Sequence, residues 1–235
     1  MKTIYLLAGL LCDEEVWQAQ ARQLRRHYDV RVASFGNFDS IPAMAAHVLE
    51  RAPSRFSLAG HSMGGRVAFE VYRQAPHRVE RLALLDTGYH PAAAHEAESR
   101  GTLVRKAQIE GIGAIAETWA MPMIGECNRG NAELVGRVLA MVRRMSGETY
   151  ARQTLALLAR PDATPVLAAI RCPTLVLCGK QDVWSPPERH EAMAAAIPHA
   201  RLRLIDNCGH MSTMERPAEV LVALEEWLQM APAEV

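Results

Sequence analysis

Arg55-Phe56-Ser57-Leu58-Ala59-Gly60-His61-Ser62-Met63-Gly64-Gly65-Arg66-Val67-Ala68-Phe69-Glu70-Val71-Tyr72 is the stretch from which the rest of the chain can be read. Arg55–Ala59, with Phe56 and Leu58 as its apolar members, reads as a short strand, and Gly65–Tyr72 reads as a helix. Gly60-His61-Ser62-Met63-Gly64 between them fits the pattern G-x-S-x-G. A strand-to-helix turn this tight forces its central residue into a strained backbone conformation and leaves that side chain exposed at the top of a sheet. Glycines two before and two after the serine are required, because a Cβ at either place would collide with the neighbouring strand or helix.

Composition sets the limits within which this pattern is read. The 235 residues suit one large α/β domain, or a core domain carrying an insertion. Hydrophobic residues make up 49% and charged residues 22%, ordinary for a globular protein in water. Lys+Arg number 26 and Asp+Glu 26, so no electrostatic argument favours nucleic acid or an anionic membrane as a partner. Five scattered cysteines (Cys12, Cys127, Cys172, Cys178, Cys208) form no disulfide framework and match no zinc-ligand spacing, which points to a reducing, cytoplasmic setting without a metal. The apolar start Ile4-Tyr5-Leu6-Leu7-Ala8 runs into Cys12-Asp13-Glu14-Glu15 without a small-residue cleavage site, so it reads as a first buried strand rather than a leader. No run approaches the ~18 apolar residues of a membrane span.

Apolar runs alternate with helical periodicity, the signature of βα units around a parallel sheet. Strands are predicted at Thr3–Ala8, Asp29–Ala33, Arg55–Ala59, Val79–Leu85, Thr174–Cys178 and Ala200–Ile205. Several are near-continuously apolar, as strands buried on both faces should be. Helices are predicted at Glu14–His27, Ser40–Arg51, Met63–Ala75, Pro187–Ala196 and Thr213–Met230. From Gly88 to about Arg160 the alternation stops and the spacing is helical throughout, as in Leu134, Val138, Met141, Met145, Leu155 and Leu158. Residues 1–87 and 161–235 are therefore expected to form the core domain, and 88–160 a helical lid inserted over one end of the sheet.

A serine hydroxyl needs a base within hydrogen-bond reach, and that base needs an acid to orient it. Of the nine histidines, His210 lies just past the carboxyl end of the last predicted strand, where ligands and reactive groups of open α/β sheets collect. The acid is expected on another strand-end loop between serine and histidine. Leu177-Cys178-Gly179-Lys180-Gln181-Asp182 supplies it in Asp182, while Asp86, at the end of Leu82–Leu85, is the competitor.

Gly60-His61-Ser62-Met63-Gly64-Gly65, then Gly179-Lys180-Gln181-Asp182 with Ser185-Pro186, then Cys208-Gly209-His210, in that order, resemble the α/β-hydrolase superfamily. The likeness is greatest to its small esterases and its enol-lactonase-like and C–C-bond-hydrolase-like members, and it covers nearly all of the chain outside the insertion. It implies Ser62 as nucleophile, Asp182 as acid and His210 as base, with no cofactor and no metal. It implies an oxyanion hole of two backbone N–H groups, from Met63 and from the loop after the first strand. Relatives usually carry His-Gly before the second donor; this chain has Ala8-Gly9-Leu10, so Leu10 is the expected donor, with Leu11 next. Relatives also open with a β-hairpin that this chain lacks, which implies a sheet of six strands, all parallel. Serine at position 62 argues against haloalkane dehalogenase and epoxide hydrolase chemistry, which use Asp there, and against dienelactone hydrolase chemistry, which uses Cys.

The expected reaction is hydrolysis of a carboxylic ester, lactone or thioester of a small apolar acyl compound. The same triad could cleave a C–C bond beside a ketone or carry out perhydrolysis, and a slow-turnover ligand sensor on the same fold is the alternative from another class. The substrate pocket is expected to draw on Leu11, Trp119, Met121, Met123, Met141, Trp184 and Met211, the methionines suiting an irregular apolar surface. Arg143-Arg144 reads either as a carboxylate-binding pair or as a solvated face. Nothing in the sequence decides between monomer and homodimer.

Overall fold

Each predicted apolar run is a strand of one parallel sheet. The computed structural model describes residues 1–231 of the chain; the last four residues of the expected core domain, 232–235, lie outside the described residues. The strands are β1 (Thr3–Leu7), β2 (Asp29–Ala33), β3 (Phe56–His61), β4 (Val79–Leu85), β5 (Thr174–Gly179) and β6 (Arg201–Ile205). They lie in the order β2-β1-β3-β4-β5-β6, and every pair is parallel. All residues of β1, β3 and β5 are buried, which is why they read as unbroken apolar runs. β6 is an edge strand: Arg201, Leu202 and Arg203 are exposed, and charge there blunts an edge that could otherwise pair with another chain.

The strand order turns around at β1. The chain goes outward from β1 to β2, then returns to place β3 on the other side of β1. Crossovers on opposite faces leave a crevice outside the carboxyl ends of β1 and β3.

Helices cover the faces: α1 (Gln18–Leu24), α2 (Ile41–Arg51) and α3 (Met63–Gln74) in the first half of the chain. The helix predicted over Glu14–His27 is divided. A 3-10 turn at Glu14–Trp17 precedes α1, and the Asp13 carboxylate caps it by accepting from the Glu15 N–H at 3.0 Å.

Between β4 and β5 the chain is helical, with no strand among the described residues. It forms α4 (Glu96–Glu110), α5 (Ala116–Ala120), α6 (Ala132–Arg143), α7 (Gly147–Leu158) and α8 (Thr164–Leu167), joined by 3-10 turns. Ser146 caps α7, its Oγ accepting from the Thr149 N–H at 3.0 Å. Leu134, Val138 and Met141 are buried as the periodicity requires, whereas Leu155 is 58% exposed and belongs to the outer face. Arg144 forms a two-bond ion pair with Asp13 at 2.7 Å, and Arg143 reaches Glu117 at 3.6 Å. The pair thus ties this segment to the core and to itself.

Beyond β5 come α9 (Pro187–Ala196), α10 (Ser212–Glu215) and α11 (Pro217–Leu228). The single helix predicted over Thr213–Met230 is two, broken at Arg216. Pro217 has no N–H to donate and its ring crowds the preceding turn, so it can only start a helix.

Candidate active site

Ser62 follows β3 directly and caps α3, with φ 54° and ψ −116°, a backbone conformation that costs energy in any residue but glycine. The flanking glycines make that turn possible. A Cβ on Gly60 would strike the backbone of Gly64, and one on Gly64 would strike the backbone of Leu7 at the end of β1.

The Ser62 Oγ lies 2.8 Å from His210 Nε2, and His210 Nδ1 lies 2.8 Å from Asp182 Oδ2. The carboxylate can only accept, so Nδ1 carries the proton and donates it, leaving the Nε2 lone pair to accept from the serine hydroxyl. Asp182 is held in turn by the Trp184 and Ser185 N–H groups, which donate to Oδ1 at 2.8 and 2.9 Å. His210 and Asp182 are both buried. Burial opposes charge on His210, but the Asp182 charge and hydrogen bond outweigh it and hold the His210 pKa above the ordinary histidine value.

Asp86 also ends a strand in this crevice, yet its carboxyl is spent elsewhere. It accepts from the Gly179 N–H at 3.2 Å and hydrogen-bonds the Ser212 hydroxyl. Complete burial, reinforced by the Asp182 charge, raises its pKa well above that of a free carboxyl. His61 lies 3.6 Å from Asp86 and donates from Nε2 to the His210 carbonyl at 2.8 Å. Burial and the neighbouring His210 push His61 down to about 3, so it is a neutral prop under the loop that carries His210.

Sequence reasoning missed the residue that holds this loop. The buried Glu215 carboxylate accepts from the N–H groups of Gly209 (3.0 Å), Met211 (3.1 Å) and Gly125 (2.9 Å), and from Asn128 Nδ2 (2.6 Å). One side chain on α10 thus joins the His210 loop to the helical segment. The His210 N–H completes that join by donating to the Met123 carbonyl at 2.8 Å. A glutamate one turn into a helix, just past a strand-end Gly-His, is the available signal, but nothing in the sequence names its partners.

Gly9 brings the loop after β1 against the serine; a Cβ there would lie 3.2 Å from Ser62 Cβ and 3.1 Å from His61 Nδ1. The Leu11 N–H is already committed, donating to Gln153 Oε1 of α7 at 2.9 Å. Leu10 is therefore the residue of this loop to consider beside Met63, the first residue of α3.

Around Ser62 and His210 opens a cavity of about 530 Å³ walled by both the sheet end and the helical segment. Leu10, Trp119, Met123, Trp184 and Met211 line it. Leu11, Met121 and Met141, expected there, do not. Leu11 and Met141 have no exposure at all, the first turned into the core from the loop after β1 and the second on the inner face of α6, while Met121 packs partly buried against the core. Arg143 and Arg144 also lie outside its wall, engaged by Glu117 and Asp13. Among the described residues, no group of three or more His, Cys, Asp or Glu is placed to hold a metal ion, and no helix is long and apolar enough to cross a membrane.

A family model described as "Alpha/beta hydrolase family" matches residues 4–224. The chain is 28% identical over 242 residues to a pimeloyl-[acyl-carrier protein] methyl ester esterase of Nitrosomonas europaea, covering 92% of this chain and 91% of that one. It is likewise 28% identical over 249 residues to an (E)-2-((N-methylformamido)methylene)succinate hydrolase of Acinetobacter baylyi, covering 97% of this chain and 91% of that one. Among solved structures it is similar to a thermophilic esterase from Thermogutta terrifontis, with a TM-score of 0.88 and 32% identity over 97% of this chain and 90% of the other. With a six-stranded parallel sheet, the strained serine turn and a match spanning almost its whole length, the chain belongs to the alpha/beta hydrolase family.

Proposed function

We propose that this hydrolase cleaves a carboxylic ester, lactone or thioester of a small, mostly apolar acyl compound through an acyl-enzyme on Ser62. The observation that carries the reading is the unbroken hydrogen-bonded chain from Ser62 Oγ through His210 to Asp182, with links of 2.8 Å each, opening into the cavity. His210 Nε2 takes the hydroxyl proton as Ser62 Oγ bonds to the acyl carbon, and Asp182 stabilises the imidazolium that forms. The negative charge that develops on the acyl oxygen meets the N–H groups of Met63 and Leu10, the first of them at the positive end of α3. When the tetrahedral adduct collapses, His210 returns its proton to the leaving alcohol or thiol. A water deprotonated by the same Nε2 then attacks the acyl-enzyme, and the proton passes back to Ser62 as the acid leaves.

Residues 88–160 serve in this reading as a lid over the core formed by 1–87 and the chain from 161 on. Trp119 and Met123 from the lid, with Leu10, Trp184 and Met211 from the core, form the apolar wall against which the acyl group packs. The ester reading is supported by relatives named methyl ester esterase and by a similar structure described as an esterase. Turnover of p-nitrophenyl esters of increasing chain length, compared between the native protein and Ser62→Ala, tests it. Saturable release of p-nitrophenol that falls to background in the variant is expected. No turnover of any chain length by folded protein, or undiminished turnover by Ser62→Ala, would overturn it.

A further inference from the structure

The apolar wall has a cationic corner that ester chemistry alone does not require. Arg66, Arg100, Arg160 and Arg189 all line the cavity, and its acidic lining residues are Glu96 and Asp86, the latter engaged by Gly179 and Ser212. Glu96 is committed: Arg160 binds it through two nitrogens at 2.5 and 2.9 Å, and Arg100 at 3.2 Å. Arg160 also donates to the carbonyls of His90, Pro91 and Leu157, so its guanidinium is saturated.

Arg66 and Arg189 are different. Arg66 donates from Nη1 to the His90 carbonyl at 2.6 Å, the carbonyl that also receives Arg160, and Arg189 reaches only the Trp184 carbonyl, at 3.5 Å. Neither has a carboxylate partner among the described residues. Yet the two are brought together: Arg66 Nη2 and Arg189 Nη1 both lie within 3.2 Å of one point, the place a Cβ on Gly88 would occupy. Two half-buried guanidiniums converging without a counter-ion repel each other in a region of weakened dielectric screening. Burial, then the charges of Arg160 and Arg189, pull the Arg66 pKa down to about 9, which still leaves it charged at neutral pH. Arg66 stands four residues after Ser62, in the first turn of α3, and both line the same cavity.

We infer that Arg66 and Arg189 form an anion subsite that binds a free carboxylate on the substrate, so that the preferred substrate is the half-ester of a short dicarboxylic acid. The inference rests on the ester-hydrolase reading for the reacting end and adds the chemistry of the other end. A planar carboxylate matches the fork of a guanidinium, and placed between the two it supplies the missing counter-charge to both.

Calorimetric titration of Ser62→Ala, which holds ligand without turning it over, tests the subsite directly. The probes are monomethyl succinate, glutarate and adipate, each against its own dimethyl ester. At least one monoester is expected to bind tenfold or more tightly than its diester, the scale of a charge-assisted hydrogen-bonded pair. Adding Arg66→Met or Arg189→Met should bring that ratio to within about threefold in at least one of the two backgrounds. Arg189→Met leaves the Arg66 contact with His90 intact and decides the matter alone if Arg66→Met does not fold. Equal binding of every monoester and diester, or an advantage that survives both replacements, overturns the subsite. Fluorophosphonate labelling of native Ser62 separates the two readings. A labelled serine with no monoester advantage sinks the subsite alone, and an unlabelled serine in folded protein sinks the hydrolase reading beneath it.

Discussion

Two aspartates end strands beside one histidine, and their surroundings give them opposite work. Asp182 accepts the His210 Nδ1–H and two backbone N–H groups, while Asp86 is buried and held toward its neutral form. Asp182→Asn should therefore lower kcat by about 10⁴, because an amide can donate to Nδ1 and trap the wrong tautomer. Asp86→Asn, nearly isosteric with a neutral carboxyl and able to keep both hydrogen bonds, should stay within about tenfold of the native kcat. Steady-state kinetics of the two variants on one ester check both statements. The pH profile follows from His210. Its folded pKa is raised, and it must be neutral to accept the serine proton, so kcat/KM should fall as pH drops through a midpoint above the ordinary histidine value. A midpoint clearly below that value would contradict the arrangement. The three residues joined by the hydrogen-bonded chain, Ser62, His210 and Asp182, were expected from the sequence, which also ranked Asp182 ahead of Asp86. They sit on strand-end loops, and loop position follows from apolar periodicity. The commitment of the Leu11 N–H to Gln153 was not legible, because it joins residues 142 apart in the chain through a contact made only in the folded state.

At the level of elements, the His210 loop is not held by its own strand but by α10. Glu215→Gln keeps one acceptor oxygen and so leaves two of the four donors around the carboxylate without a partner. A loss of about 2–4 kcal/mol of stability is expected, measurable by urea unfolding, together with a fall in kcat from a less fixed His210. Unchanged stability would show that the donors find other acceptors. A second test lies at the loop after β1, where Gly9→Ala would press a methyl against Ser62 and His61. Activity should drop by at least about tenfold while the fold survives, since contacts of 3.1 to 3.2 Å can be relieved by a small shift of the loop. Element positions were read well wherever both faces of a strand are buried. The division of the last helix was missed because apolar spacing continues across Arg216 and Pro217, and periodicity does not register a backbone break. Proline chemistry does, and it places Pro217 at the start of a new helix.

Across the whole molecule, stability should carry the mark of buried neutral histidines. His190 accepts the Thr87 N–H on Nε2 at 3.0 Å and donates from Nδ1 to the Pro186 carbonyl at 3.2 Å, and burial pushes it down to about 4. Its folded pKa is lowered, so the unfolded chain binds the extra proton and stability falls as pH drops from the ordinary histidine value toward 4. The contribution is up to about 3 kcal/mol, and His190→Gln should flatten that part of the urea-unfolding curve against pH. The cationic corner belongs to this scale too, and it explains what the sequence could not convey. Arg66, Arg160 and Arg189 lie far apart in the chain on α3, after α7 and on α9, and only the folded sheet with its inserted helices brings them to one cavity. The adjacent pair Arg143-Arg144, read from the sequence as a carboxylate-binding pair or a solvated face, is an anchor held by Glu117 and Asp13. What joins these scales is the claim that Ser62 is an activated nucleophile. The most direct measurement is reaction of the folded protein with a fluorophosphonate, followed by mass spectrometry of its peptides. The account predicts one phosphonyl group per chain, on Ser62, strongly slowed in His210→Ala. Failure to label, or labelling at another residue while Ser62 stays free, would contradict it.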